Sequence, residues 1–282
     1  MQVFKNIVLE GPHGRPILLD IFFTDTRVAK PVVIYAHGFN GFKDWGNFDL
    51  IAGQFVKAGF VFVKFNFSHN GTTPEHPEEF ADLQAYGHNN YIIELDDLQA
   101  VIDWVLSDHE KSAHIDRKRL YLLGHSMGGG IVILKAAEEK KVRGVVTWSS
   151  VAEPKTPWGN WPPDKMKEWK KTGVAYYTNS RTRQELPLFY QLYESYNANK
   201  SRLDILKAAK RLKVPLLLCH GTADPAVPVD QAYALNEAQP SSQLFLVDSD
   251  HVYGRKHPWK RSALPKAMKT VVRKSIDFLL SI

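Results

Sequence analysis

Cysteine is all but missing from this chain of 282 residues, and the lone Cys219 excludes an internal disulfide framework. Its setting in Leu216-Leu217-Leu218-Cys219-His220 is that of a small buried strand residue rather than a reactive thiol. Long apolar runs are missing as well. No segment approaches the ~18 to 20 apolar residues of a membrane span, and Met1 to Glu10 holds no apolar stretch ahead of a cleavage site. The expectation is a cytoplasmic protein without a membrane partner. There is no internal repeat and no recognised nucleic-acid fold signature, so nucleic acid is not expected as a partner.

What remains is ordinary for a globular chain, 44% apolar and 23% charged, and long enough for one large domain or one domain with an insertion. The formal charge is +6, with lysine and arginine spread through much of the sequence. The densest basic stretch runs from Lys165 to Lys171 and on through Arg181 and Arg183. It is either a solvated helix face or a field that draws anionic substrates.

Two opening segments, Val3 to Glu10 and Pro16 to Phe23, flank Gly11-Pro12-His13-Gly14 and predict an antiparallel hairpin. Strand-like runs follow at Val32 to Ala36, Phe60 to Phe67, Leu120 to Leu123, Val142 to Trp148, Val214 to Cys219 and Gln243 to Val247. Helix-period segments lie at Phe48 to Lys57, Tyr91 to Leu106, Met127 to Lys140, Val229 to Ala238 and Lys266 to Leu280. Apolar strands alternating with helices imply a mostly parallel sheet covered on both faces. Its active site belongs beyond the carboxyl ends of the strands. One interval breaks the rhythm. Residues 151–212, rich in tryptophan, tyrosine and early proline, predict an inserted cap of helices with a hairpin, leaving 1–150 and 213–282 as the core.

Gly124-His125-Ser126-Met127-Gly128 sits where the strand run Arg119 to Leu123 gives way to a helical one. A serine at the top of a sharp strand-to-helix turn needs neighbours without bulk two positions either side, and Gly124 and Gly128 meet that need. Ser126 is therefore the candidate nucleophile, against the plainer alternative of a tight joint with a buried serine. A serine hydroxyl needs a base, and a histidine base needs a carboxylate to fix its tautomer. Asp224, in Gly221-Thr222-Ala223-Asp224-Pro225, and His251, in Asp248-Ser249-Asp250-His251, each follow a strand end. Asp248 or Asp250 as the acid, and His257 as the base, stay open as alternatives, while His125 is expected to support the elbow. Acyl transfer also needs donors for the developing oxyanion. The amide of Met127 is one; the second is expected from Phe39 in the turn His37-Gly38-Phe39-Asn40-Gly41.

Taken together, His37-Gly38-Phe39, Gly124-His125-Ser126-Met127-Gly128-Gly129, His220-Gly221 with Asp224, and His251 resemble the α/β-hydrolase family in motif, order and spacing. Thr178-Asn179-Ser180-Arg181-Thr182 and Leu186-Pro187-Leu188 look similar to the cap of cinnamoyl and feruloyl esterases. The resemblance implies an α/β-hydrolase fold, a twisted and mostly parallel sheet with helices on both faces and an inserted cap. It also implies an acyl-enzyme on Ser126 with His251 as base and Asp224 as acid, Phe39 and Met127 as oxyanion donors, and no metal or organic cofactor. The implied substrate is a small-molecule carboxylic ester, of an aromatic or short-chain acid, held by cap aromatics such as Trp158, Trp161 and Tyr176. Small-peptide hydrolysis, with Glu153 meeting a substrate amine, and thioester hydrolysis are alternatives on the same triad. A catalytically silent binding module is the alternative of another class.

Overall fold

The computed structural model describes residues 1–26, 28–46 and 48–282. The chain opens with β1 (Gln2–Glu10) and β2 (Pro16–Phe23), a hairpin, followed by β3 (Lys30–Ala36), α1 (Phe48–Lys57) and β4 (Val61–Asn66). Next come α2 (Leu83–His88), α3 (Tyr91–Leu106), β5 (Ile115–His125), α4 (Met127–Glu138) and β6 (Val142–Trp148). The stretch that leaves the sheet after β6 holds α5 (Pro163–Thr172), β7 (Val174–Thr178), β8 (Glu185–Phe189), α6 (Gln191–Ala198) and α7 (Ile205–Arg211). The chain then returns through β9 (Leu216–Gly221), α8 (Asp230–Ala238), β10 (Gln243–Val247) and α9 (Lys266–Leu280).

Eight strands form one sheet in the order β1-β2-β4-β3-β5-β6-β9-β10, and β7 pairs with β8 in a separate hairpin. β2 is antiparallel to both neighbours, while every pairing from β4 to β10 is parallel. This is the α/β-hydrolase fold, with helices on both faces. The continuous apolar strands follow from that double burial. Along β3, Val32, Ile34 and Ala36 enter one core and Val33 and Tyr35 the other. The first core lies against α3 and α4, and the second against α1 and α9. β5 extends further than its apolar run, because Arg117 to Arg119 continue the strand on an exposed stretch where no burial pattern marks it.

The inserted stretch has a centre of its own. α5 starts on Pro163, ends on Gly173 in the left-handed region, and carries Asp164 in its first turn and Lys170 and Lys171 in its last, matching the helix dipole at both ends. Trp169 is its one buried residue, and its Nε1 donates to the Leu188 carbonyl at 2.6 Å. Trp158 packs beside it. α7 instead lies on α4, where a β-carbon on Gly130 would come within 2.6 Å of Ile205 Cδ1. The last helix of the stretch thus belongs to the layer over the sheet.

Candidate active site

Ser126 joins β5 to α4 with φ 57° and ψ −122°, a backbone conformation that a side chain adopts only under strain. The turn is so tight that a β-carbon on Gly124 would lie 2.2 Å from the Gly128 carbonyl oxygen. One on Gly128 would lie 2.4 Å from the carbonyl oxygens of Ala36 and His37. The two glycines therefore let the elbow close and seat it against the end of β3.

Asp224 and His251 come from the loops after β9 and β10, adjacent parallel strands, and meet at 2.7 Å between Asp224 Oδ2 and His251 Nδ1. Gly221 makes that approach possible, since a β-carbon there would sit 2.5 Å from the Ser249 carbonyl oxygen. The other carboxylate oxygen accepts from the amides of Ala226 at 2.9 Å and Val227 at 2.8 Å. His220 steadies the same turn by donating from Nε2 to the Val227 carbonyl at 2.8 Å. Burial alone would push the Asp224 carboxyl up. The His251 ring and the two amides outweigh it, and the group is held below the usual carboxylate range. An ionised Asp224 keeps the proton on Nδ1 of His251 and leaves Nε2 to act as base.

His251 and Ser126 line one cleft, although no hydrogen bond joins them among the described residues. Such contacts commonly close only when substrate is bound. Asp250 spends its Oδ1 on the amides of Val252 and Gly254, at 3.1 and 2.8 Å. His257 accepts from the Gly46 amide at 3.2 Å on the cleft wall, with Glu78 3.8 Å from its other nitrogen. Among the described residues, neither Asp248 nor Asp250 bonds to His251.

The turn after β3 reaches the nucleophile directly, for a β-carbon on Gly38 would lie 2.8 Å from Ser126 Cβ. Among the described residues, the amides of Phe39 and Met127 have no partner; Met127 opens α4, where the helix leaves its first N–H groups free. His37, two residues before Phe39, is a pin whose role the sequence did not announce. Burial lowers its pKa to about 4, so it is neutral. Its Nδ1 donates to the Gly38 carbonyl at 2.9 Å, and its Nε2 accepts from the Phe67 amide and from Asn70. Further along, Lys43 is anchored twice, by its amide to Asn66 Oδ1 at 2.6 Å and by its ammonium to Asp20 at 2.9 Å.

Lys64 lies beside the same carboxylates, 3.2 Å from Asp20 and 2.6 Å from Asp49, and also pairs with Asp44. Asp20, Asp44 and Asp49 are close enough to share a cation. The buried ammoniums of Lys43 and Lys64, with Lys5 on Asp49, already balance the three, so the donor set does not fit a resident metal.

The cleft holds about 390 Å³ and is walled by Phe39, Trp45 and Tyr177. A second groove of about 310 Å³ runs past Phe39 and Tyr177 to Val227 and Pro228. Trp158, Trp161 and Tyr176 line neither. Trp158 is buried among Tyr91, Trp169 and Tyr196, and Trp161 packs on Trp169. Tyr176 is 57% exposed, because alternation along β7 turns its neighbour Tyr177 inward onto Phe39, 5.4 Å between ring centroids.

Fold and site define an α/β-hydrolase with the parts of a serine hydrolase. A family model described as serine aminopeptidase, S33 matches residues 27–202, and the chain belongs to that family. An uncharacterized 31.7 kDa protein of Escherichia coli is 26% identical over 156 residues, 54% of this chain and 47% of that one. The quorum-quenching protein AidA of Acinetobacter baumannii is 27% identical over 122 residues, 43% of this chain and 36% of that one. The chain thus spans about half or less of the length of these relatives. Among solved structures, Est1E from Butyrivibrio proteoclasticus with bound ferulic acid superposes with a TM-score of 0.73 at 16% identity, over 98% of both chains. No described helix is long and apolar enough to cross a membrane.

Proposed function

We propose that the protein hydrolyses carboxylic esters of small molecules through an acyl-enzyme on Ser126. The observation that carries this reading is the 2.7 Å pair of His251 Nδ1 and Asp224 Oδ2 opening on the cleft that holds Ser126. Ser126 Oγ attacks the ester carbonyl carbon while His251 Nε2 takes its proton. Charge gathers on the carbonyl oxygen, which the amides of Phe39 and Met127 receive; one such donor is worth about 3 kcal/mol in the transition state. The tetrahedral species collapses, the C–O bond to the alcohol breaks, and His251 returns the proton to the leaving oxygen. Water then enters with His251 again as base and frees the acid.

Within residues 151–212 the part ahead of α7 acts as a cap in this reading, since β7 brings Tyr177 over Phe39 at the mouth of the cleft. The aromatic walls and the structural likeness to a ferulic-acid-bound esterase favour an aromatic or short acyl part. Peptide hydrolysis finds less support, because Glu153 is paired with Lys155 at 2.7 Å.

The test is hydrolysis of methyl ferulate and p-nitrophenyl butyrate, with Ser126→Ala as blank, alongside labelling by a serine-directed fluorophosphonate. We expect turnover and stoichiometric labelling of the wild type and neither in the variant. A well-folded wild type that neither labels nor turns over ester would overturn the proposal in favour of a binding module.

A further inference from the structure

The cleft around Ser126 carries charge of one sign. Arg181, Arg255 and Lys256 line it, and no described Asp or Glu does. Arg255 is the unusual member. It is 4% exposed, and among the described residues it pairs with no carboxylate. A guanidinium carries five N–H donors and keeps its charge at any working pH. Here the Nε group donates to the Val252 carbonyl at 3.1 Å, while Nη1 is buried with no partner among the described residues.

Buried charges are ordinarily paired, because leaving water is costly for an ion. The rings of Trp45 and Phe48 stand 5.3 and 5.2 Å from the guanidinium carbon, and such contacts offset only part of that cost. A cation with unspent donors is thus held in the wall of the cleft that holds the nucleophile. Arg181 and Lys256 also form no ion pair among the described residues, so the field of the cleft is not cancelled at its rim. Of the carboxylates around it, Asp224 is bound to His251 Nδ1, Asp250 acts on Arg255 without pairing with it, and Glu78 stands 3.8 Å from His257.

We propose that the cleft is built for esters that carry a carboxylate, with Arg255 as the buried anchor and Arg181 and Lys256 as outer guides. The planar fork of Arg255 suits a carboxylate, and the aromatic faces of Trp45 and Tyr35 line the same wall. The catalytic part of the proposal rests on the ester-hydrolase reading; the anion-binding part does not.

The experiment compares matched ester pairs: monophenyl glutarate against phenyl pentanoate, with the charge on the acyl side, and 4-acetoxybenzoate against phenyl acetate, with the charge on the leaving side. For wild type we expect at least one anionic member to exceed its neutral partner in kcat/KM by about tenfold or more at low salt, and the excess to shrink as salt rises. In Arg255→Met the ratio falls to about one. Should that variant not fold, Arg181→Gln and Lys256→Gln each lower the ratio by about threefold from the rim. A wild-type ratio near one in both pairs, or a ratio untouched by these substitutions, overturns the inference while leaving ester hydrolysis standing. Calorimetric binding of monophenyl glutarate and phenyl pentanoate reads the same preference without turnover. Tighter anion binding in a protein that hydrolyses neither would keep the inference and count against the ester reading.

Discussion

His125 donates from Nε2 to the backbone carbonyl of His251 at 2.9 Å, so the residue before Ser126 steers the loop that carries the proposed base. Burial, with the His251 ring and Arg255 nearby, lowers the His125 pKa well below its ordinary value. The ring therefore stays neutral and keeps this donor across the working pH range. Losing a buried hydrogen bond costs about 1 kcal/mol or more. We expect His125→Leu to lower kcat by about tenfold with KM little changed, and His125→Gln, which can still donate, to recover part of it. Equal rates in the two variants would show that the bond does not position His251.

In the proposed mechanism Asp224 is the acid, being the carboxylate bound to His251 Nδ1 at 2.7 Å. With Asn in its place, a side-chain amide can donate to the imidazole and favour the wrong tautomer. The expected loss in kcat is on the order of 10³ to 10⁴. Circular dichroism should remain that of wild type. Near-wild-type turnover in purified Asp224→Asn would return the acid's role to another carboxylate.

Gly38 sets the distance between the Phe39 turn, the proposed oxyanion donor, and Ser126. Alanine there would bring its β-carbon to 2.8 Å from Ser126 Cβ and 2.9 Å from the His125 carbonyl oxygen. The backbone must retreat, carrying the Phe39 amide with it. A misplacement of about 1 Å at such a site costs roughly a hundredfold in rate. We expect fluorophosphonate labelling of Ser126 to slow by that order. Unchanged labelling would remove the Phe39 turn from the catalytic geometry.

The parts of this molecule that obey a period or a spacing were legible in the sequence. α1, α3 and α9 fall on their predicted limits, and the doubly buried strands announced themselves as apolar runs. The motif glycines were legible because close approach admits no other residue. What lay hidden depended on contacts between distant segments. Tyr177 rather than Tyr176 faces the site through a one-residue alternation on a short hairpin. Trp158 and Trp161 looked like binding aromatics but pack on Trp169 at the centre of the inserted stretch. α2 and α7 are too short to show a helical period. Arg255 gave no signal, since only the fold reveals that its partners are rings instead of carboxylates.

Glu94, on α3, is another buried ionisable group the sequence did not mark. It is 2% exposed, accepts from Asn89 Nδ2 at 2.8 Å on one oxygen, and among the described residues has no partner for the other. It borders a small cavity behind Phe39 and Met127. Burial pushes its pKa up to about 8, with the Asp97 carboxylate adding to the rise. The folded protein therefore holds a proton that the unfolded chain gives up near the ordinary glutamate pKa of about 4.3. The contribution of Glu94 to stability is greatest below that value and falls as pH rises toward 8, by up to about 1.4 kcal/mol per pH unit. Asp97, which burial raises to about 6, adds a loss of the same sign over a lower window. Glutamine at 94 copies the shape of the protonated acid and removes the titration. Glu94→Gln should match wild type in melting temperature near pH 5 and exceed it at pH 8 by several degrees. A gap of the same size at both pH values would mean that Glu94 does not hold its proton in the folded state, and the destabilisation at alkaline pH would have to come from elsewhere.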